Sequence, residues 1–239
     1  MGLLLVYTMG KVASTTISES ITSARIECHD IHTLRESSLF FQMKKSVETG
    51  VLPHNHIGRS INIYHRFQRA SKVKIITCLR DSFSRNVSAI FQNLPQKEYT
   101  LNDVRNIIEN SAPDAPGSWL RNEFAATIGI NLLREKFNIN DKYAVLKKDR
   151  FEILSMRIDL SNDKKQELIS DFVGEEIVLQ NKNEAQNKWY DDLYREFRAK
   201  GELSEEWVTR CVKSKYMEKF YSEVERQQFE EKAFALVRK

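Results

Sequence analysis

The segment Thr8-Met9-Gly10-Lys11-Val12-Ala13-Ser14-Thr15-Thr16-Ile17 places a glycine, a lysine and three successive hydroxyls directly behind a short apolar run. Residues of these types in this order suit a strand–turn–helix junction that grips an anion. The first turn of a helix offers N–H groups without intrahelical partners and the positive end of the dipole, and phosphate binds there readily. Lys11 adds a mobile charge able to follow negative charge onto a leaving group. Ser14, Thr15 and Thr16 add donors. The segment is not a Walker A loop, because Lys11 precedes Ser14 by three residues and the second glycine is missing. A kinase or ATPase is thereby disfavoured. A βα turn with a Ser/Thr helix cap and an incidental lysine explains the same residues equally well.

A second constellation is Leu79-Arg80-Asp81-Ser82-Phe83-Ser84-Arg85-Asn86-Val87-Ser88. Arg80 stands where a buried strand should end, the edge at which open α/β sheets bind ligands. A guanidinium can hold a phosphate bidentately. Ser88 shares a helix face with Arg85 at i, i+3, so a phosphate held between Arg80 and Ser88 is geometrically reasonable. An ordinary ion pair of Arg80 with Asp81 or a helix carboxylate is the alternative. A base at neutral pH would be a histidine, and the chain has five, at 29, 32, 54, 56 and 65. His29 and His32 follow the expected second strand. His54-x-His56 could begin a metal site, but no third ligand is apparent, and no metal is expected.

These residues need elements to hold them. Leu3–Tyr7 and Val73–Leu79 are continuous apolar runs suited to parallel strands buried on both faces. Tyr143–Leu146 and Ile177–Leu179 are further strand candidates, and Ile26 with Cys28 a weaker one. Ile17/Ile21/Ala24 and Val87/Ile90/Phe91 carry helical spacing. Residues 96–140 read as mostly helical around a loop at Ala112–Gly117, and Ser204 before Glu205-Glu206 reads as a helix start. The alternation predicts an α/β fold with a central, mostly parallel sheet. One domain is expected over 1–239, with a helical C-terminal part at about 181–239.

The 239 residues are 41% hydrophobic and 29% charged, proportions of a globular chain with a real core. No apolar run reaches the ~18–20 residues of a membrane span, and the apolar start is too short for a signal peptide. Three cysteines without metal-ligand spacing point to reduced thiols and a cytoplasmic location. Residues 1–100 carry 13 Lys/Arg against 7 Asp/Glu, and residues 151–239 carry 16 against 19. The first part suits an anionic ligand. No stretch is basic enough to demand nucleic acid.

Taken in order, the two constellations resemble the cofactor signature of sulfotransferases that use 3′-phosphoadenosine 5′-phosphosulfate (PAPS). Lys11-Val12-Ala13-Ser14-Thr15-Thr16 is similar to the 5′-phosphosulfate loop of carbohydrate sulfotransferases. Arg80-Asp81 through Ser88 is similar to their 3′-phosphate motif, R-D-P-x-x-R-x-x-S, with Ser82 in place of the proline. His54-Asn55-His56 resembles the His-x-His segment of uronic-acid 2-O-sulfotransferases, which places the base at His56 with His54 as helper. Asn187-Lys188-Trp189-Tyr190 resembles the name-giving sequence of the bacterial NKWYS family, associated with capsular polysaccharide synthesis; Asp191 stands where the name has Ser. The resemblance spans residue 3 to about 230. It implies a P-loop-like three-layer fold and transfer of a sulfuryl group from PAPS to a carbohydrate or glycolipid hydroxyl. It assigns Lys11 to the leaving phosphate, and Lys11 to Thr16 together with Arg80 and Ser88 to the cofactor. A P-loop kinase or NTPase and a non-catalytic nucleotide-binding relative are the alternatives.

Overall fold

A computed structural model describes residues 2–53, 55–180 and 188–235. In chain order the elements are β1 (Gly2–Tyr7), α1 (Ser14–Ser23), β2 (His29–Ile31), α2 (Glu36–Thr49), α3 (Asn55–Arg69), β3 (Lys72–Leu79), α4 (Ser82–Asn93), α5 (Leu101–Glu109) and α6 (Ala115–Trp119). A π-helical turn (Leu120–Ala125), α7 (Ala126–Ile128), β4 (Tyr143–Lys148), β5 (Phe151–Arg157), α8 (Asn162–Val173), α9 (Asp191–Lys200), α10 (Glu205–Val212), α11 (Lys215–Phe220) and α12 (Glu223–Phe234) follow. The chain forms two compact units, Met1–Leu79 with Trp119–Asn181, and Arg80–Ser118 with Lys182–Lys239.

The first unit is a mixed α/β layer structure on a five-stranded sheet of order β2-β1-β3-β5-β4. β1 pairs in parallel with β2 and β3, and β3 with β5; β4 joins β5 antiparallel. Leu5, Val6, Ile75 and Ile76 are wholly buried, as central parallel strands covered on both faces require. Ile17 and Ile21 of α1, with Leu168, Ile169 and Phe172 of α8, complete a core around Val6, Ile76, Leu154 and Met156. β1 leads through α1 to β2 on one side, whereas β3 lies on its other side, so the strand order reverses between β1 and β3. Ligands bind open α/β sheets at such a switch point, outside the carboxyl ends of the strands.

The second unit is helical. Phe83, Val87 and Phe91 of α4 pack with Val104 and Ile108 of α5, Phe197 of α9, and Trp207, Val208 and Cys211 of α10. Ser204 caps α10, accepting from the Trp207 N–H at 3.4 Å.

Several expected elements are corrected. Ile26 and Cys28 precede the strand; Arg25 at φ 63° and the Ile26 N–H bonded to Ile21 O close α1 there, so β2 begins at His29. Ile177–Leu179 is not a strand. Its N–H groups go to side chains, Ile177 to Ser170 Oγ and Leu179 to Gln166 Oε1, not to a ladder. The strand beside β3 is instead Phe151–Arg157, whose apolar run is interrupted by Glu152, Ser155 and Arg157. Arg157 is 1% exposed yet neutralised: its guanidinium donates to both Asp159 oxygens at 2.9 and 2.6 Å. Burial would raise the Asp159 carboxyl, but bonds from Arg157 and Lys142 prevail and hold it below its usual range. Tyr143–Lys148 is an antiparallel edge strand. The helical stretch ends at Ile128 under Gly129 at φ 74°. α6 starts inside the expected loop, because Asp114 Oδ1 accepts the Gly117 N–H at 3.2 Å, and Pro116 sits in the first turn where its missing N–H costs nothing.

Candidate functional site

In the first unit the site grows from the turn after β1. Gly10, Lys11 and Ala13 adopt φ of 76°, 63° and 61°, three left-handed residues in four. A non-glycine residue there costs ~1–2 kcal/mol, and such a turn makes a concavity of backbone N–H groups suited to an anion. The N-cap of α1 is Ala13, which supplies no side-chain cap, and no acidic residue lies in the first turn. The hydroxyls therefore do not cap the helix, as the plain-turn reading would need. Ser14 is buried and its Oγ donates to Asp30 Oδ2 at 3.4 Å; Thr15 and Thr16 are accessible, Lys11 is half-buried and Val12 fills the core.

Asp30 and His32 flank Ile31 at the carboxyl end of β2, and alternation turns both to one face. Burial raises the Asp30 carboxyl above its ordinary value against the opposing pull of His32, Ser14, Arg59 and Thr15. His32 Nδ1 lies 2.8 Å from Thr8 O. A carbonyl only accepts, so a neutral His32 carries its proton on Nδ1 and its lone pair on Nε2. Nε2 faces Gly10, where a Cβ would stand 3.5 Å away. The His32 ring packs against His56 with centroids 4.3 Å apart and the ring planes tilted by 37°. Trp119 Nε1 donates to His32 O at 3.0 Å, and its ring meets Tyr7 edge-on at 5.3 Å.

The structure thus brings together the Gly10–Ala13 turn, Ser14, Thr15, Asp30, His32 and His56. It separates His29, which begins β2 and lies 3.3 Å from Glu27, and His65, exposed on α3. His54 lies outside the described residues, as does Asn187. Sequence reasoning missed Asp30; its signal was the position two residues before His32 at a strand end.

The second unit holds the other constellation. Arg80 directly follows β3. Tyr216, fully buried, fixes its backbone: the hydroxyl donates to Arg80 O at 3.1 Å and lies 3.2 Å from Arg80 N. Asp81 caps α4, accepting the Ser84 N–H at 2.7 Å. Ser82, standing where the resemblance expects proline, sends its N–H to Met217 Sδ at 3.4 Å. Burial lowers the Arg85 guanidinium, and the nearby charge of Arg80 adds to this. Ser88 is half-buried one turn beyond Arg85. A cavity of about 360 Å³ opens beside Arg85, Asn86, Ile90 and Tyr99. Trp189 is 41% exposed, 6.2 Å from Tyr99, whereas Tyr190 packs on Phe91. Among the described residues no group of three or more His, Cys, Asp or Glu could hold a metal.

Residues 95–222 match NKWYS, the family described as “Putative capsular polysaccharide synthesis protein”. No curated protein and no solved structure matches the chain. The matched region omits the β1 turn and the Arg80–Ser88 segment, so it bears on neither. It nevertheless covers more than half of the 239 residues, and the chain belongs to the NKWYS family.

Proposed function

We propose that the protein is a sulfotransferase that moves a sulfuryl group from PAPS to a carbohydrate hydroxyl, acting in the cytoplasm in bacterial surface polysaccharide synthesis. The reading takes the sheet as P-loop-like. Its main support is the turn from Gly10 to Ala13, where three left-handed residues and a helix start without a side-chain cap lie beside two imidazoles in contact. The family's association with capsular polysaccharide agrees with a saccharide acceptor.

PAPS supplies an activated sulfuryl group on a phosphate leaving group. The reading assigns its anionic ends to N–H groups of the turn, Lys11, Thr15 and Thr16 for the 5′ end, and to Arg80 and Ser88 for the 3′-phosphate. Lys11 balances the charge that develops on the leaving phosphate. An imidazole takes the acceptor's proton. His56 is the expected base; His32, in contact with it, offers Nε2 with a defined tautomer. Positioning of the acceptor against an in-line leaving group accounts for the rest. Transfer of label from sulfur-labelled PAPS to sugars and lipid-linked saccharides tests the reading. Labelled product that disappears in His32→Ala or His56→Ala supports it; no product from any acceptor contradicts it.

One observation favours phosphoryl transfer instead. The Ser14 hydroxyl on buried Asp30 is a pair that could share a Mg²⁺ ion with phosphate oxygens. Mg²⁺-dependent ATP turnover would select that reading.

A further inference from the structure

We propose that α2 and the two residues Val51 and Leu52 beyond it dock the protein on an anionic lipid surface. Of the 14 residues of α2 only Leu39 is buried. Phe40, Met43 and Val47 recur at i, i+3 and i+7, one stripe of the helix, and are 68%, 47% and 84% exposed. Phe41 widens the stripe, and Val51 and Leu52 extend it, Leu52 at 90% exposure. Soluble monomers avoid such patches; the largest on a typical one is ~300–600 Å². Most helical stability in proteins comes from packing an apolar face, and the packed face of α2 is thin. What holds α2 is its start. The Glu123 carboxylate accepts the Leu34 and Arg35 N–H groups at 2.7 and 2.8 Å and the Ser38 hydroxyl at 3.2 Å.

Charge and shape select lipid as the occupant. Arg35, Lys44 and Lys45 stand against Glu36 and Glu48 on this segment, with Lys44 in a solvent-exposed ion pair to Glu48 at 3.7 Å that is worth little in water, and residues 1–79 carry 10 Lys/Arg against 5 Asp/Glu. Adjacent phenylalanines at 40 and 41 spread the apolar surface around the helix. An apolar ridge flanked by lysines is the chemistry of a helix lying in a bilayer interface. No described helix is long and apolar enough to cross a membrane, so the contact is peripheral. The docking segment runs between His32 and His56, whose rings in contact close its base. A lipid-carried saccharide is the acceptor this placement serves; that consequence rests on the sulfotransferase reading, whereas the docking does not.

Co-sedimentation of the full chain with phosphatidylcholine vesicles, and with an equal mixture of phosphatidylcholine and phosphatidylglycerol, tests the proposal without nucleotide or acceptor. Wild type should pellet with the mixed vesicles and at least tenfold less with the neutral ones. The double variant F40S/F41S, altered only at exposed positions, should lose at least tenfold in partition while keeping its circular dichroism. K44E/K45E should lose the preference for phosphatidylglycerol. Wild type that stays in solution with both vesicles overturns the proposal, as does equal partition of F40S/F41S. A wild-type dimer in light scattering that F40S/F41S makes monomeric also overturns it, since a second copy would then be the occupant.

Discussion

Removing the Glu123 carboxylate should unfasten the first unit where the candidate site is anchored. Oε1 accepts from Tyr7 Oη at 2.7 Å and from the Leu34 and Arg35 N–H groups, while Oε2 accepts from Ser38. Tyr7 remains a donor at any working pH: burial, and then the Glu123 charge, push its phenol well above its usual value. Glu123→Ala leaves the Leu34 N–H without an acceptor and the buried Tyr7 hydroxyl with only its longer bond to Thr127 Oγ1 at 3.3 Å. An orphaned buried donor costs ~1–3 kcal/mol, and because both donors share one oxygen of Glu123 their costs do not simply add. The expected loss is about 3 kcal/mol. Glu123→Gln keeps one acceptor oxygen but presents an NH₂ to Ser38, and should lose about 1 kcal/mol. The assay is native-state hydrogen exchange of the Leu34 and Arg35 amides alongside urea unfolding, because two units need not unfold together. Protection of these amides should fall with Glu123→Ala by roughly a hundredfold, at ~1.4 kcal/mol per tenfold. A loss under ~1 kcal/mol, or equal losses for Ala and Gln, would refute the reasoning, since the acceptor oxygen would not be what anchors the segment.

Gly10→Ala should cost only ~1–2 kcal/mol through its φ of 76°, because the added Cβ meets His32 Nε2 at an uncrowded 3.5 Å. It would nevertheless cover that lone pair, so carbethoxylation of His32 by diethyl pyrocarbonate should slow sharply while the fold persists. Asp30, raised by burial, binds its proton more tightly folded than unfolded. It therefore subtracts from stability as pH rises past the ordinary carboxylate value of ~3.9. Asp30→Asn should unfold at higher denaturant than wild type at pH 7, and the gap should close near pH 3; a gap that grows on acidification is the wrong sign. Burial pushes the Cys28 and Cys78 thiols up to about 12. Iodoacetamide at pH 8 should label buried Cys78 only after unfolding and half-buried Cys28 far more slowly than a free thiol, and rapid labelling of Cys78 in the native protein would contradict its placement.

How much of this was legible in the sequence depended on where a residue's partner lay. β1 and β3 announced themselves because central parallel strands must be apolar on both faces, and Ser204 announced α10 because a cap acts locally. β5 stayed hidden because Arg157 is tolerable in a buried strand only with Asp159 beside it, a pairing that apolar periodicity does not report. Ile177–Leu179 had the composition of a strand but found side-chain acceptors in α8, which no local pattern foretells. At the site, the Gly10–Ala13 turn followed from its glycine and hydroxyls. The pairing of His32 with His56 did not, since it depends on how the segment between them returns to the sheet. Ser82 carries an N–H that a proline in its place would lack, and that N–H found Met217, a partner far along the chain.

Isothermal titration with 3′,5′-adenosine bisphosphate, comparing wild type with Lys11→Ala and Arg80→Ala, tests the central claim most directly. Each variant removes a charge-assisted contact worth ~1.5–3 kcal/mol, so each should weaken a measurable wild-type affinity by about tenfold to a hundredfold. Absence of binding by the wild type, or affinities unchanged in both variants, would contradict a nucleotide held at its two anionic ends by Lys11 and Arg80.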